Sequence, residues 1–61
     1  MYLEREIGDY RIYSKAITDR DGNPATEYVV TNCLSVIKHK EIEIGHFATL
    51  ADADAFARSK T

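Results

Sequence analysis

Glu41-Ile42-Glu43-Ile44-Gly45-His46-Phe47-Ala48-Thr49-Leu50-Ala51-Asp52-Ala53-Asp54-Ala55-Phe56-Ala57-Arg58-Ser59-Lys60-Thr61 is the stretch that decides the fold of this chain. Ile42 and Ile44 alternate with Glu41 and Glu43, the period of a strand with one face toward a core. Strict alternation would turn Phe47 away from Ile44. A bulge at Gly45 would return it to the core side, a common use of glycine in a strand. Thr49 is placed to cap a helix, and Asp52 three residues on resembles a capping box with the shorter acid. Asp52 and Asp54 near the start of that helix, with Arg58 and Lys60 near its end, complement its dipole. Leu50, Ala53, Phe56 and Ala57 recur on one side at helical spacing. The alanines on that side let the helix axis approach a sheet closely. A helix this short is marginal alone, so the sheet must hold it.

Working back from this junction, residues 9–18 are rich in Tyr and Ile and carry neither Pro nor Gly, which suits a strand. Tyr10, Ile12, Ser14 and Ala16 share one face, and Arg11, Tyr13, Lys15 and Ile17 share the other. Each face mixes polar with apolar groups, so the alternation leaves open which one is buried. Asp19-Arg20-Asp21-Gly22-Asn23-Pro24 is the strongest turn signal in the chain. Asp-Gly tolerates the positive φ of a hairpin reversal, and Pro24 keeps Asn23 out of a helix. Residues 26–37 return with β-branched and aromatic side chains and read as a second strand, with a bulge expected near Asn32. A helix competes there, because Val30, Cys33, Leu34 and Ile37 also fit a helical stripe. The β-branched content favours the strand. Residues 38–40 form a polar turn, and residues 1–8 are expected to fray or to add a strand residue or two. The fold class expected is α+β: a three-stranded antiparallel sheet packed against one C-terminal helix (β-β-β-α), a single domain spanning residues 1–61.

A chain of 61 residues makes one domain. At this size only about 60% of the unfolded surface is buried, so stability is marginal without help from a disulfide, a metal or a partner. Cys33 is the only cysteine, which excludes an internal disulfide and a multi-cysteine zinc cage. The composition, 44% hydrophobic and 30% charged, is that of a folded domain. A formal net charge of −2 gives no general attraction to nucleic acid or to anionic membranes. No apolar run approaches the roughly 20 residues of a membrane span. Met1-Tyr2-Leu3-Glu4-Arg5-Glu6 lacks the apolar region of a signal peptide, so a cytoplasmic location is expected.

Cys33, His39 and His46 are the soft metal-ligand candidates, and their spacing matches no usual zinc pattern. No metal site and no cofactor are expected. The chain has no nucleophile elbow, P-loop, dinucleotide fingerprint or HExxH, and the acid pairs Glu41/Glu43 and Asp52/Asp54 read as solvated. An enzyme is therefore not expected, and no catalytic residue is assigned. Among Tyr2, Tyr10, Tyr13 and Tyr28, Tyr13 lies between Arg11 and Lys15 on one strand face. Arg11, Tyr13 and Lys15 form a candidate basic-aromatic binding face, because Arg and Tyr supply rigid amphipathic contact area. Lys38, His39 and Lys40 in the following turn are candidates for further contact with a partner or with phosphate.

Ile44-Gly45-His46-Phe47-Ala48-Thr49-Leu50-Ala51-Asp52-Ala53 resembles the end of the third strand and the helix start of AP2-like domains. That group includes the arm-type DNA-binding domains of phage and transposon integrases. Gly45, Phe47, Thr49, Asp52 and Ala53 match the group's pattern, and the Asp21-Gly22 turn stands in the right place. The resemblance implies a three-stranded sheet whose exposed, Arg- and Lys-rich face enters a DNA major groove. Arg11 and Lys15 are of the right type for that face, and Lys38 and Lys40 would reach phosphates. Glu27, Glu41 and Glu43 depart from it, since carboxylates oppose the cationic contacts that drive DNA binding. The leading expectation is a small non-enzymatic binding module acting by protein–protein contact, with a protein partner or a second copy as a homodimer. It would dock through the Arg11, Tyr13, Lys15 face or through an open strand edge. Its size suits an accessory protein of a phage or mobile element. The alternative is a sheet-based DNA-binding domain of the AP2 and integrase arm type.

Overall fold

A computed structural model describes residues 1–34 and 40–61. Four strands and one helix follow in order: β1 Tyr2–Ile7, β2 Tyr10–Thr18, β3 Pro24–Leu34, β4 Lys40–Phe47 and α1 Leu50–Ser59. The strands form one antiparallel sheet in the order β1-β2-β3-β4, with α1 laid across one face. The α+β class and the C-terminal helix are as the sequence implies. The strand count is not: the sheet has four strands, where three were expected. Tyr2–Ile7 is a full edge strand, joined to β2 by the two-residue turn Gly8-Asp9, with Ile7 opposite Tyr10. Gly8 adopts φ +59°, which glycine reaches without steric cost. The strand hides in the sequence because only Ile7 along it is even half-buried, so no clean alternation marks it.

Asp19 builds the β2–β3 turn. Its Oδ1 accepts from the backbone N–H groups of Asp21 (2.9 Å) and Asn23 (2.8 Å). Its carbonyl accepts from Gly22 N–H at 3.1 Å, and Gly22 holds φ +82°. Across the turn Thr18 faces Pro24, and the register then runs unbroken to Tyr10 opposite Asn32. The strand reading of the second segment therefore holds through Leu34, and the helical alternative does not. Residues 35–37, expected to continue it, lie outside the described residues.

The core lies between the sheet and α1. Ile12 of β2, Val30 of β3, and Ala53 and Ala57 of α1 are fully buried together. Ile7, Tyr10, Tyr28, Phe47, Leu50 and Phe56 pack around them. The Tyr10, Ile12, Ser14, Ala16 face of β2 is therefore the one turned to the helix. Thr49 caps α1 as expected, its hydroxyl accepting from Asp52 N–H at 3.2 Å.

Two bulges adjust which side chains meet this core. In β4 the extra residue is Ile44: Glu43 faces Thr31, and Gly45 faces Val30. The irregularity lies one residue before the expected Gly45, and Phe47 reaches the core side as anticipated. In β1 the extra residue is Glu4, between the pairs Leu3/Tyr13 and Arg5/Ile12. That shift puts Arg5 on the helix side, where it pairs with Asp54 of α1. Asp54 also pairs with Arg58 one helical turn on.

The hydrogen bonds from Arg58 and then Arg5 hold the Asp54 carboxyl below its ordinary value of 3.8. A carboxyl with a depressed folded-state value favours the folded form while it is ionised. The contribution is complete above the unfolded value and disappears as pH falls through the lower folded one. Thermal melts are expected to show the protein losing more stability between about pH 5 and pH 2 than Asp54→Asn does. Equal losses would show that the Arg5–Asp54–Arg58 bridge contributes nothing.

Candidate binding face of the sheet

Side chains alternate across a strand, so the neighbours of Ile12 on β2 point away from α1. Arg11, Tyr13 and Lys15 accordingly share the face that the helix leaves uncovered. The register places partners beside each of them. Arg11 stands opposite Thr31, and Thr31 opposite Glu43; Tyr13 stands opposite Val29, and Val29 opposite His46; Lys15 stands opposite Glu27. On the β1 side, Glu6 pairs with Arg11 and Leu3 with Tyr13.

Val29 and Thr31 are 0% and 2% exposed although no helix lies over them. Each stands between larger cross-strand neighbours, Val29 between Tyr13 and His46 and Thr31 between Arg11 and Glu43. Thr31 holds its Oγ1 there without a hydrogen-bond partner. An unsatisfied buried hydroxyl is unfavourable, so this spot is held by its surroundings rather than by its own bonds.

Charges of both signs interleave on the face. Arg11 Nε lies 3.1 Å from Glu6 Oε1, and Lys15 Nζ lies 4.0 Å from Glu27 Oε1. His46 Nδ1 is 3.0 Å from the same Glu27 oxygen, and His46 Nε2 is 3.2 Å from Glu43 Oε1. These groups are solvated, so each pair adds at most about 1 kcal/mol to stability. Their main effect is on the potential: both cations of the expected basic patch sit beside carboxylates.

All three residues expected on one binding face are thus together. Lys38 and His39 lie outside the described residues, and Lys40 pairs with Leu34 at the start of β4. Sequence reasoning placed Glu27 and Glu43 near this surface and missed Glu6 and His46. Glu6 needs the β1 pairing to be seen, and its signal was the Gly8-Asp9 turn. His46 comes to the face of Glu43 through the β4 bulge, and the bulge expected at Gly45 was the signal that could have found it.

The strand edges are less inviting. Both edge strands, β1 and β4, carry a bulge and charged residues, devices that discourage edge-to-edge pairing. Near the first residues of β1 an open depression is lined by Met1, Tyr2, Ser14, Lys15, Ala16 and Thr26. Among the described residues, no group of three His, Cys, Asp or Glu side chains is disposed to hold a metal ion. Among them, too, no helix is long and apolar enough to cross a membrane. No family model, curated protein or solved structure matches the chain.

Proposed function

We propose that this protein is a non-enzymatic binding module that docks a protein partner on the helix-free face of its sheet. One observation carries the reading. Arg11, Tyr13 and Lys15 converge on that face and are interleaved there with Glu6, Glu27, Glu43 and His46 around a buried Val29. A tyrosine and an arginine over a small apolar centre, with charges of both signs around them, is the chemistry of a protein interface. A DNA-binding face would leave its cations available for phosphate. Here Arg11 and Lys15 already have carboxylate neighbours, which supports the protein reading over the AP2-like alternative.

The test starts from proteins captured by the wild type and lost by an Arg11→Ala/Tyr13→Ala/Lys15→Ala variant. Adding the purified captured protein to labelled wild type is expected to move the amide signals of Val29, Thr31 and their row neighbours. The variant should bind it at least about tenfold more weakly, as interface anchors typically do. A mixed-sequence duplex at low salt should leave those amides unmoved. If the duplex moves them, with affinity falling steeply as salt rises, the DNA reading replaces this one. If dilution alone moves them, the partner is a second copy of the chain.

A further inference from the structure

Glu43 and His46 are three residues apart, a spacing that puts two strand side chains on opposite faces. The extra residue Ile44 reverses that parity and brings both to the helix-free face. His46 then has a carboxylate at each ring nitrogen: Glu27 Oε1 at 3.0 Å from Nδ1 and Glu43 Oε1 at 3.2 Å from Nε2. A neutral imidazole carries one N–H and one lone pair, whereas an imidazolium carries two N–H groups. Only the imidazolium can therefore donate to both carboxylates. The neutral ring must turn its lone pair on one of them.

We propose that His46 is a proton-operated clasp on the binding face. Protonated, it ties edge strand β4 to β3 through Glu27 and staples the β4 bulge through Glu43. Neutral, it gives up one of the two bonds. Among the described residues, the charged groups facing it are Glu27 from β3 and Glu43 from its own strand. Lys15 of β2 joins through the shared Glu27 oxygen at 4.0 Å. Tyr13 of β2 lies in the same cross-strand row, on the far side of Val29. β1 is at the opposite edge of the sheet, and α1 covers the opposite face.

The clasp acts on two properties at once. It holds the bulge that seats Gly45 beneath Phe47 and Phe56 on the other side of the sheet. It also changes the charge among six groups of the face: Arg11, Lys15 and a protonated His46 match Glu6, Glu27 and Glu43, and a neutral His46 leaves these six with one excess negative charge. That the proton thereby regulates docking rests on the proposed function. The clasp itself is tested on the isolated chain, so the two ideas fail separately.

The measurement is NMR of the imidazole nitrogens in the wild type, Glu27→Gln and Glu43→Gln. At the alkaline end of the ring titration the two variants should shift the neutral tautomer in opposite directions. Glu27→Gln should leave the proton on Nε2, facing Glu43, and Glu43→Gln should leave it on Nδ1, facing Glu27. At the acid end of the ring titration the wild type should show both ring protons hydrogen-bonded. The backbone amides of Ile44 and Gly45 should move together with the wild-type ring titration and stay still in His46→Gln. One tautomer ratio common to all three proteins, as for a solvated imidazole, overturns the clasp. So do bulge amides that ignore the ring titration.

Discussion

Ile12→Ala is expected to remove a large part of the domain's stability. Ile12 is 0% exposed near the start of β2, opposite Val30, and packs with Ala53 and Ala57 of the helix. Truncating a buried isoleucine to alanine costs about 2–5 kcal/mol, as lost transfer energy plus the cavity left behind. Domains have roughly 0.05–0.15 kcal/mol of stability per residue, so a chain this short has about 3–9 kcal/mol to lose. The cavity would be slow to close, because the helix presents alanines there and alanine has no rotamer with which to refill space. Urea unfolding followed by circular dichroism checks this, with Ile12→Val as the control at about 0.5–1.5 kcal/mol. An unchanged midpoint for Ile12→Ala would place the core on the other face of the sheet.

That outcome matters because the identity of the buried face was the step the sequence left open. Both faces of β2 mix polar with apolar residues, and nothing local to residues 10–18 separates them. What separates them is a distant element: α1 settles on Ile12 and Val30, which are paired across strands. The helix itself was legible because its signals are local, with Thr49 at the cap, Asp52 three residues on and alanines at helical spacing. The grouping of Arg11, Tyr13 and Lys15 followed from strand parity alone. That their face is the uncovered one did not.

Other features escaped for related reasons. Val29 and Thr31 are buried on the helix-free face between cross-strand neighbours, which a single strand's pattern cannot reveal. The first strand went uncounted because an exposed edge strand interrupted by a bulge at Glu4 loses its alternation. The His46 contacts depend on a one-residue change of parity at Ile44, and such a bulge changes every facing relation on either side of it. Short-range chemistry at turns and caps was readable in this chain. Relations across strands were readable where the register was unbroken, and at Phe47, where Gly45 signalled the break.

Gly45 shows how much rests on that break in register, and its substitution is the second large effect expected. A Cβ built on Gly45 would lie 2.7 Å from Cε2 and 3.1 Å from Cζ of Phe47, and 3.2 Å from Cε2 of Phe56. The obstacle is space, not backbone conformation, because the Phe47 ring lies directly over the glycine. The two rings pack with centroids 5.1 Å apart at 45°, and Lys60 Nζ sits 5.1 Å from the centroid of the Phe56 ring. Phe47 cannot swing aside without disturbing Phe56 and with it the end of α1. Gly45→Ala is expected to cost about 1–3 kcal/mol, in the range of an overpacked core, and Gly45→Val more. For a domain of this size each kcal/mol lowers the melting temperature by about 4–8 °C, so calorimetry resolves the loss. Gly22→Ala offers the contrast: Gly22 has φ +82° and no atom within 4 Å of a built Cβ, so its cost is backbone strain alone. Shortening the clashing ring separates the two causes. Phe47→Leu should recover part of the Gly45→Ala loss, giving a double variant less damaged than the sum of the single ones. Strict additivity would mean that the ring does not lie over the glycine. The bulge at Ile44 would then need another reason to exist.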